Sequence, residues 1–209
     1  MLLRMNHLLL CVATTLAACG SETATQIPQT CPPPPSNLPI PWHVATPGTA
    51  AVHWGRRAGC VPVTYDASLT SNAPALAAAI ALVNGITCSH LCFAPPTLSE
   101  TAPDPQRTSD RRVHLRASVN AQASESSIVY DSVSGRVRNA IFSVPDVSLR
   151  DDARGALARA LLLSAGMRAS PSTAPSMLAV NAGVRTATPS DADRAAFCAV
   201  YGTPPLCDD

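Results

Sequence analysis

Eight cysteines are spread along this chain of 209 residues, and they limit its fold more than any other feature. The chain begins with Arg4 followed by an apolar run from Leu8 to Ala18. That run is too short to cross a hydrocarbon core of ~30 Å as a helix. A single basic residue ahead of a short apolar stretch and small residues is the pattern of a secretory signal peptide, so residues 1–18 are set apart from the fold. Cys11 leaves with that segment and Cys19 stands at its end, so six of the eight cysteines remain: Cys31, Cys60, Cys88, Cys92, Cys198 and Cys207. An even set in an exported chain predicts disulfides, and six cysteines allow fifteen pairings. Short loop closure favours Cys31–Cys60, Cys88–Cys92 and Cys198–Cys207. The competing reading is a metal site at Cys88-Ser-His90-Leu-Cys92, but no second ligand pair accompanies it and exported thiols oxidise.

The end of the leader, Leu16-Ala17-Ala18-Cys19, resembles the lipobox of bacterial lipoproteins. The resemblance implies cleavage before Cys19, a diacylglycerol on its thiol, and a place in the bacterial cell envelope. Gly20 rather than Asp follows the cysteine, which points to the outer membrane. No other segment is expected to be apolar and long enough to cross a membrane. The net charge of +1 gives no reason to expect a nucleic acid partner. Every one of the fifteen basic residues is arginine.

Composition and periodicity divide the rest. Residues 19–51 are rich in Ser, Thr and Pro, with Pro32 to Pro35 consecutive, and read as a disordered spacer. A folded domain is expected from 52 to 209. Cys60 to Tyr65 alternates as a strand, and Asn72 to Val83 is an alanine-rich helix with Asn72 as its cap. Residues 95–110 form a proline-broken loop. Arg112 to Ala117 is a strand, and 127–144 are two strands joined at Ser134-Gly135. A helix capped by Ser148 with Asp151 runs to Ala165 and stops at Gly166, and residues 168–189 are irregular. Ser190 caps a last helix, Asp191 to Tyr201. This order predicts an α/β (α+β) domain.

The element order, Gly135-Arg136-Val137-Arg138-Asn139-Ala140-Ile141-Phe142 before the long helix, and Val200-Tyr201-Gly202 ending the last one together resemble the matrixin-type zinc metallopeptidases of the metzincin clan. The resemblance covers about Val52 to Gly202. It implies a zincin-like fold, a twisted mixed sheet of four to five strands packed on two long helices, with a C-terminal helix. Members carry H-E-x-x-H-x-x-G-x-x-H and then a Met-turn methionine. Aligning the motif glycine with Gly166 puts Arg159, Ala160, Leu163 and Ala169 at the first histidine, glutamate, second histidine and third histidine. Met177 then falls at the Met-turn. None of the four can act as ligand or base, because arginine is a permanent cation and leucine and alanine have no donor atom.

The expectation is therefore a catalytically inactive, membrane-anchored metallopeptidase-like module with no cofactor. Its family-like edge strand, Ser127 with Ile128, Val129 and Tyr130, is expected to take up an extended peptide or an envelope protein. Arg159 is expected to pair with a nearby acid or with a ligand carboxylate, or else to reach solvent. Two readings stand beside it: an active zinc peptidase with its motif elsewhere, and an envelope lipoprotein unrelated to proteases.

Overall fold

The computed structural model describes residues 31–209 except 47, 56–58, 105, 106, 108, 109, 120–124, 204, 205, 208 and 209. Residues 1–30, and with them Cys19 and the segment expected to be a signal peptide, lie outside the described residues. The described residues form an α/β domain with one five-stranded mixed sheet and three α-helices.

The elements follow in the order β1 (Val63–Tyr65), α1 (Ala73–Asn84), β2 (Thr97–Leu98), β3 (Val113–Ser118), β4 (Glu125–Tyr130), β5 (Val137–Pro145), α2 (Asp146–Ser164) and α3 (Asp191–Tyr201). The sheet order is β2-β1-β3-β5-β4. β1 pairs in parallel with β2 and β3, β3 pairs in parallel with β5, and β4 alone runs antiparallel, along β5. β3 and β5 are central and bury Val113, Leu115, Ala140, Phe142 and Val144 completely. α2 covers them with Leu157 and Leu161, and α1 lies against α2.

The β4–β5 turn forms where the Ser134-Gly135 signal stands. Asp131 accepts the Val133 and Ser134 amides at 3.0 and 2.9 Å, and Gly135 takes φ +75°. Such a φ is open to glycine at little cost. α1 starts at Ala73 after a 3-10 turn, Ala67–Asn72, and Asn72 makes no side-chain cap bond. Neither of the two main helices is a long unbroken rod: α1 has 12 residues, and α2 breaks at Asp152, whose φ of −154° is extended. Asp152 Oδ1 accepts the Gly155 amide at 2.9 Å and so caps the second half of α2. The cap expected at Ser148 is thereby corrected, because Asp146 already starts the helix and no side chain caps it there. α2 stops at Gly166 as expected, with φ +104°. A side chain at Gly166 would collide with the Val52 carbonyl oxygen.

Three expectations are overturned. First, residues 31–51 are not a spacer. Ile40, Trp42, Ala45, Ala50 and Ala51 are buried, Trp42 bridges to Met167, and Trp42 Nε1 donates to Val52 O at 2.7 Å. An apolar arm that inserts a tryptophan gains enough burial to order a proline-rich segment. Second, the disulfides are Cys31–Cys207, Cys60–Cys92 and Cys88–Cys198. The six cysteines pair as a set, but two bridges span sequence separations of 176 and 110, because the arm and α3 are brought back onto the core. Third, the helical run Ala67–Asn84 is by length and composition apolar enough to cross a membrane. Its inward residues Leu69, Leu76, Ile80 and Val83 are packed in the core, as in a core helix of the same composition.

Candidate functional site

Helix α2, the stretch after it and the N-terminal arm enclose an open cavity of about 850 Å³. Arg159 and Leu163 lie one turn apart and face into it from α2. Gly166 reverses the chain so that Ala169 reaches the same wall, and Met177 lines it from below with 1% of its surface exposed. Arg159, Leu163, Ala169 and Met177 thus line one cavity. Ala160 does not join them: it is 1% exposed and faces the core.

The segment around Met177 is held from two sides. Ser176 Oγ donates to Asp193 Oδ1 at 2.6 Å, and the Met177 amide donates to Asp193 Oδ2 at 2.8 Å. Asp193 belongs to α3, where Ser190 and Asp193 form a reciprocal cap. Its Oδ2 also accepts the Ser190 amide at 2.9 Å and the Ser190 hydroxyl at 2.8 Å. Tyr201, at the other end of α3, donates to Ala165 O at 2.6 Å and accepts the Trp54 amide at 2.9 Å. The two ends of α3 thus fix the stretches before and after Ala169.

From the α2 side, Arg159 Nη1 donates to Met177 O at 2.9 Å and to Ala179 O at 3.0 Å. This corrects the expectation of an acid partner: the guanidinium grips backbone carbonyls of the Met177 segment. Burial, then the neighbouring Arg185, push the Arg159 pKa down to about 10, with Asp193 opposing them. Arg185 Nε donates to Ala179 O at 3.1 Å, and its Nη2 donates to Val180 O at 3.2 Å. Arg168 and His43 also line the cavity. Burial and Arg168 hold His43 below the usual histidine value.

These side chains do not fit a zinc ion. Arg159 presents a cation, and Leu163 and Ala169 present no lone pair, where zinc needs protein donors at three positions. Elsewhere Cys31, His53 and Cys207 lie close enough to share a metal, but the two sulfurs are joined to each other. The Cys88-Ser-His90-Leu-Cys92 reading fails for the same reason, since its cysteines belong to two different disulfides.

No protein-family model matches this chain, and no curated protein proved similar to it.

β4 forms one edge of the sheet, and its Ser126 lines the cavity. Ile128 and Tyr130 pack partly on the core, Val129 is half-buried, and the register against β5 shifts between Val129 and Tyr130. These three continue the edge away from the cavity and do not line it. Sequence reasoning missed His43, Arg168 and Arg185. His43 sits in the segment read as a spacer, although Ile40 and Trp42 beside it were an apolar signal. The two arginines carry no local signature, because the acceptors of Arg185 and the place of both on the cavity wall are set by tertiary packing.

Proposed function

We propose that this chain is a catalytically inactive metallopeptidase-like domain, zincin-like in architecture, that binds an extended peptide beside a cavity no longer equipped for zinc. In this reading the lipid on Cys19 holds it at the bacterial cell envelope, on the outer membrane, and the domain displays a binding surface. The observation that carries the reading is the convergence of Arg159, Leu163 and Ala169 on one cavity over Met177. These are the family's ligand positions by spacing, and they are filled by side chains that cannot ligate or act as a base. Two further features support it. The one antiparallel strand, β4, is an edge strand whose Ser126 reaches the cavity. A free edge takes up a peptide through main-chain hydrogen bonds, which need no metal. In addition, α3 carries the acid and the tyrosine that fasten the Met177 segment and the end of α2.

The mature chain, incubated with a denatured and alkylated carrier protein, should retain it without cleaving it, whether or not a chelator is present. Backbone hydrogen exchange of residues 126–130 should slow on binding. Chelator-sensitive cleavage would favour an active peptidase instead. Retention with unchanged exchange in β4 would remove strand capture.

A further inference from the structure

The arginines of the cavity carry a second message. Arg159 and Arg185 donate to the same oxygen, Ala179 O, at 3.0 and 3.1 Å. Two guanidinium groups meeting on one carbonyl oxygen place like charges side by side, which costs free energy unless an anion lies between them. Among the described residues none does. Asp193 is the one carboxylate acting on Arg159, and its oxygens already accept from Ser176, Met177 and Ser190. Asp151 and Asp152 line the cavity from the N-terminal half of α2, where Asp152 Oδ1 is taken by the Gly155 amide. Arg168 adds a third cation to the same cavity. No ion pair forms at Arg159, Arg168 or Arg185 among the described residues. Arg159 uses one nitrogen, Nη1, for both of its bonds, which leaves Nε and Nη2 without an acceptor among the described residues. Burial has already lowered its pKa, so the charge is held in a place where water screens it less than at the surface.

We propose that Arg159, Arg168 and Arg185 form a carboxylate-binding site, and that the peptide captured along β4 is one that projects a carboxylate into this cavity. The carboxylate comes from an Asp or Glu side chain or from the peptide's own C-terminus. The proposal rests on the peptide-capture reading above and names the chemistry of its ligand. A guanidinium matches a carboxylate with two parallel N–H donors, and charge-assisted bonds of this kind are about twice as strong as neutral ones. β4 supplies no charge selectivity of its own through main-chain bonds, so the cavity is what distinguishes an acidic peptide from a neutral one. Ser126 makes the two features continuous, because it belongs to the strand and lines the cavity.

The test uses the immobilised mature chain and three pools of N-acetylated heptapeptides, randomised except at the centre. One has a central Asp and an amidated C-terminus, one a central Asn and an amidated C-terminus, and one a central Asn and a free C-terminal carboxylate. At least one carboxylate pool should be retained about tenfold more than the Asn amide pool. Whichever pool is preferred identifies the source of the carboxylate. The preference should fall to about twofold or less in the double variant Arg168→Gln/Arg185→Gln, whose changes are at exposed side chains, and in Arg159→Gln. Equal retention of all three pools overturns the carboxylate site and leaves strand capture standing. Retention of none overturns both. A preference unchanged in both variants places the selectivity elsewhere and overturns the assignment to these arginines.

Discussion

Asp193 and Arg159 are charged side chains of opposite sign that grip the same stretch of chain, one from α3 and the other from α2, and they differ in how fully they are satisfied. Asp193 is 0% exposed, and both of its oxygens accept hydrogen bonds from Ser176, Met177 and Ser190. Arg159 is half-buried, makes two bonds from one nitrogen and turns the rest of its donors toward an open cavity. A buried charge with both oxygens hydrogen-bonded to its own chain is a structural fastening. A cation with donors to spare beside a second guanidinium is both a strut and a binding group. Charge alone does not separate the two roles; the count of unused donors does.

That contrast can be broken by substitution. Asp193→Ala should cost about 3–5 kcal/mol, because it leaves the Ser176 hydroxyl and the Met177 amide buried without their acceptor and also removes the α3 cap at Ser190. Urea unfolding followed by circular dichroism reads this directly, and a loss below about 1 kcal/mol would mean that the acid is not the fastening described. Arg159→Met should cost about 1 kcal/mol or less, because two bonds to carbonyls are lost while a desolvated like-charge pair is relieved. A loss as large as that of Asp193→Ala would make Arg159 a purely structural residue.

The smallest effect concerns two histidines. Burial and Arg168 lower the pKa of His43. Burial is also the main cause at His114, where Arg112 and Arg116 act with it and Asp66 and Glu100 against it. With folded values below the ordinary 6.5, the unfolded chain takes up protons that the folded chain refuses. Stability is then complete above 6.5 and is lost as pH falls through the depressed folded values. Thermal melts at about pH 7.5 and pH 5 should show a lower Tm in acid, and His43→Gln should narrow the difference. Asp131, whose pKa is lowered chiefly by the Ser134 amide, begins to matter only below the ordinary value of 3.8.

What could be read in the sequence was local. Ser190 marked the start of α3, Gly166 the end of α2, and Ser134-Gly135 the β4–β5 turn. Each depends on bonds made within a few residues. The positions Arg159, Leu163, Ala169 and Met177 came from the family resemblance, and all four line one cavity. The failures came from distance. The Cys31–Cys207 and Cys88–Cys198 bridges join residues whose closeness depends on the whole fold, so short-loop closure chose the wrong partners. Residues 31–51 were misread because proline content hid Ile40 and Trp42, whose burial orders the arm. His43, Arg168 and Arg185 come to the cavity from the arm and from both sides of the Met177 segment, and the acceptors of Arg185 are backbone carbonyls that leave no mark in a sequence.

The reading proposed above, that the cavity derives from a three-ligand metal site whose side chains have been exchanged, can be put to a direct test. Placing histidines at all three positions, Arg159→His with Leu163→His and Ala169→His, tests it. Two histidines one turn apart on α2, joined by a third after the Gly166 turn, are the donor set that zinc takes in a tetrahedral site with water as the fourth ligand. Equilibrium dialysis against micromolar zinc, with metal measured by elemental analysis and folding checked by circular dichroism, is the measurement. One zinc retained per chain by the folded triple variant, against none by the unaltered chain, is the expected result. A folded triple variant that retains no more zinc than the unaltered chain would contradict it.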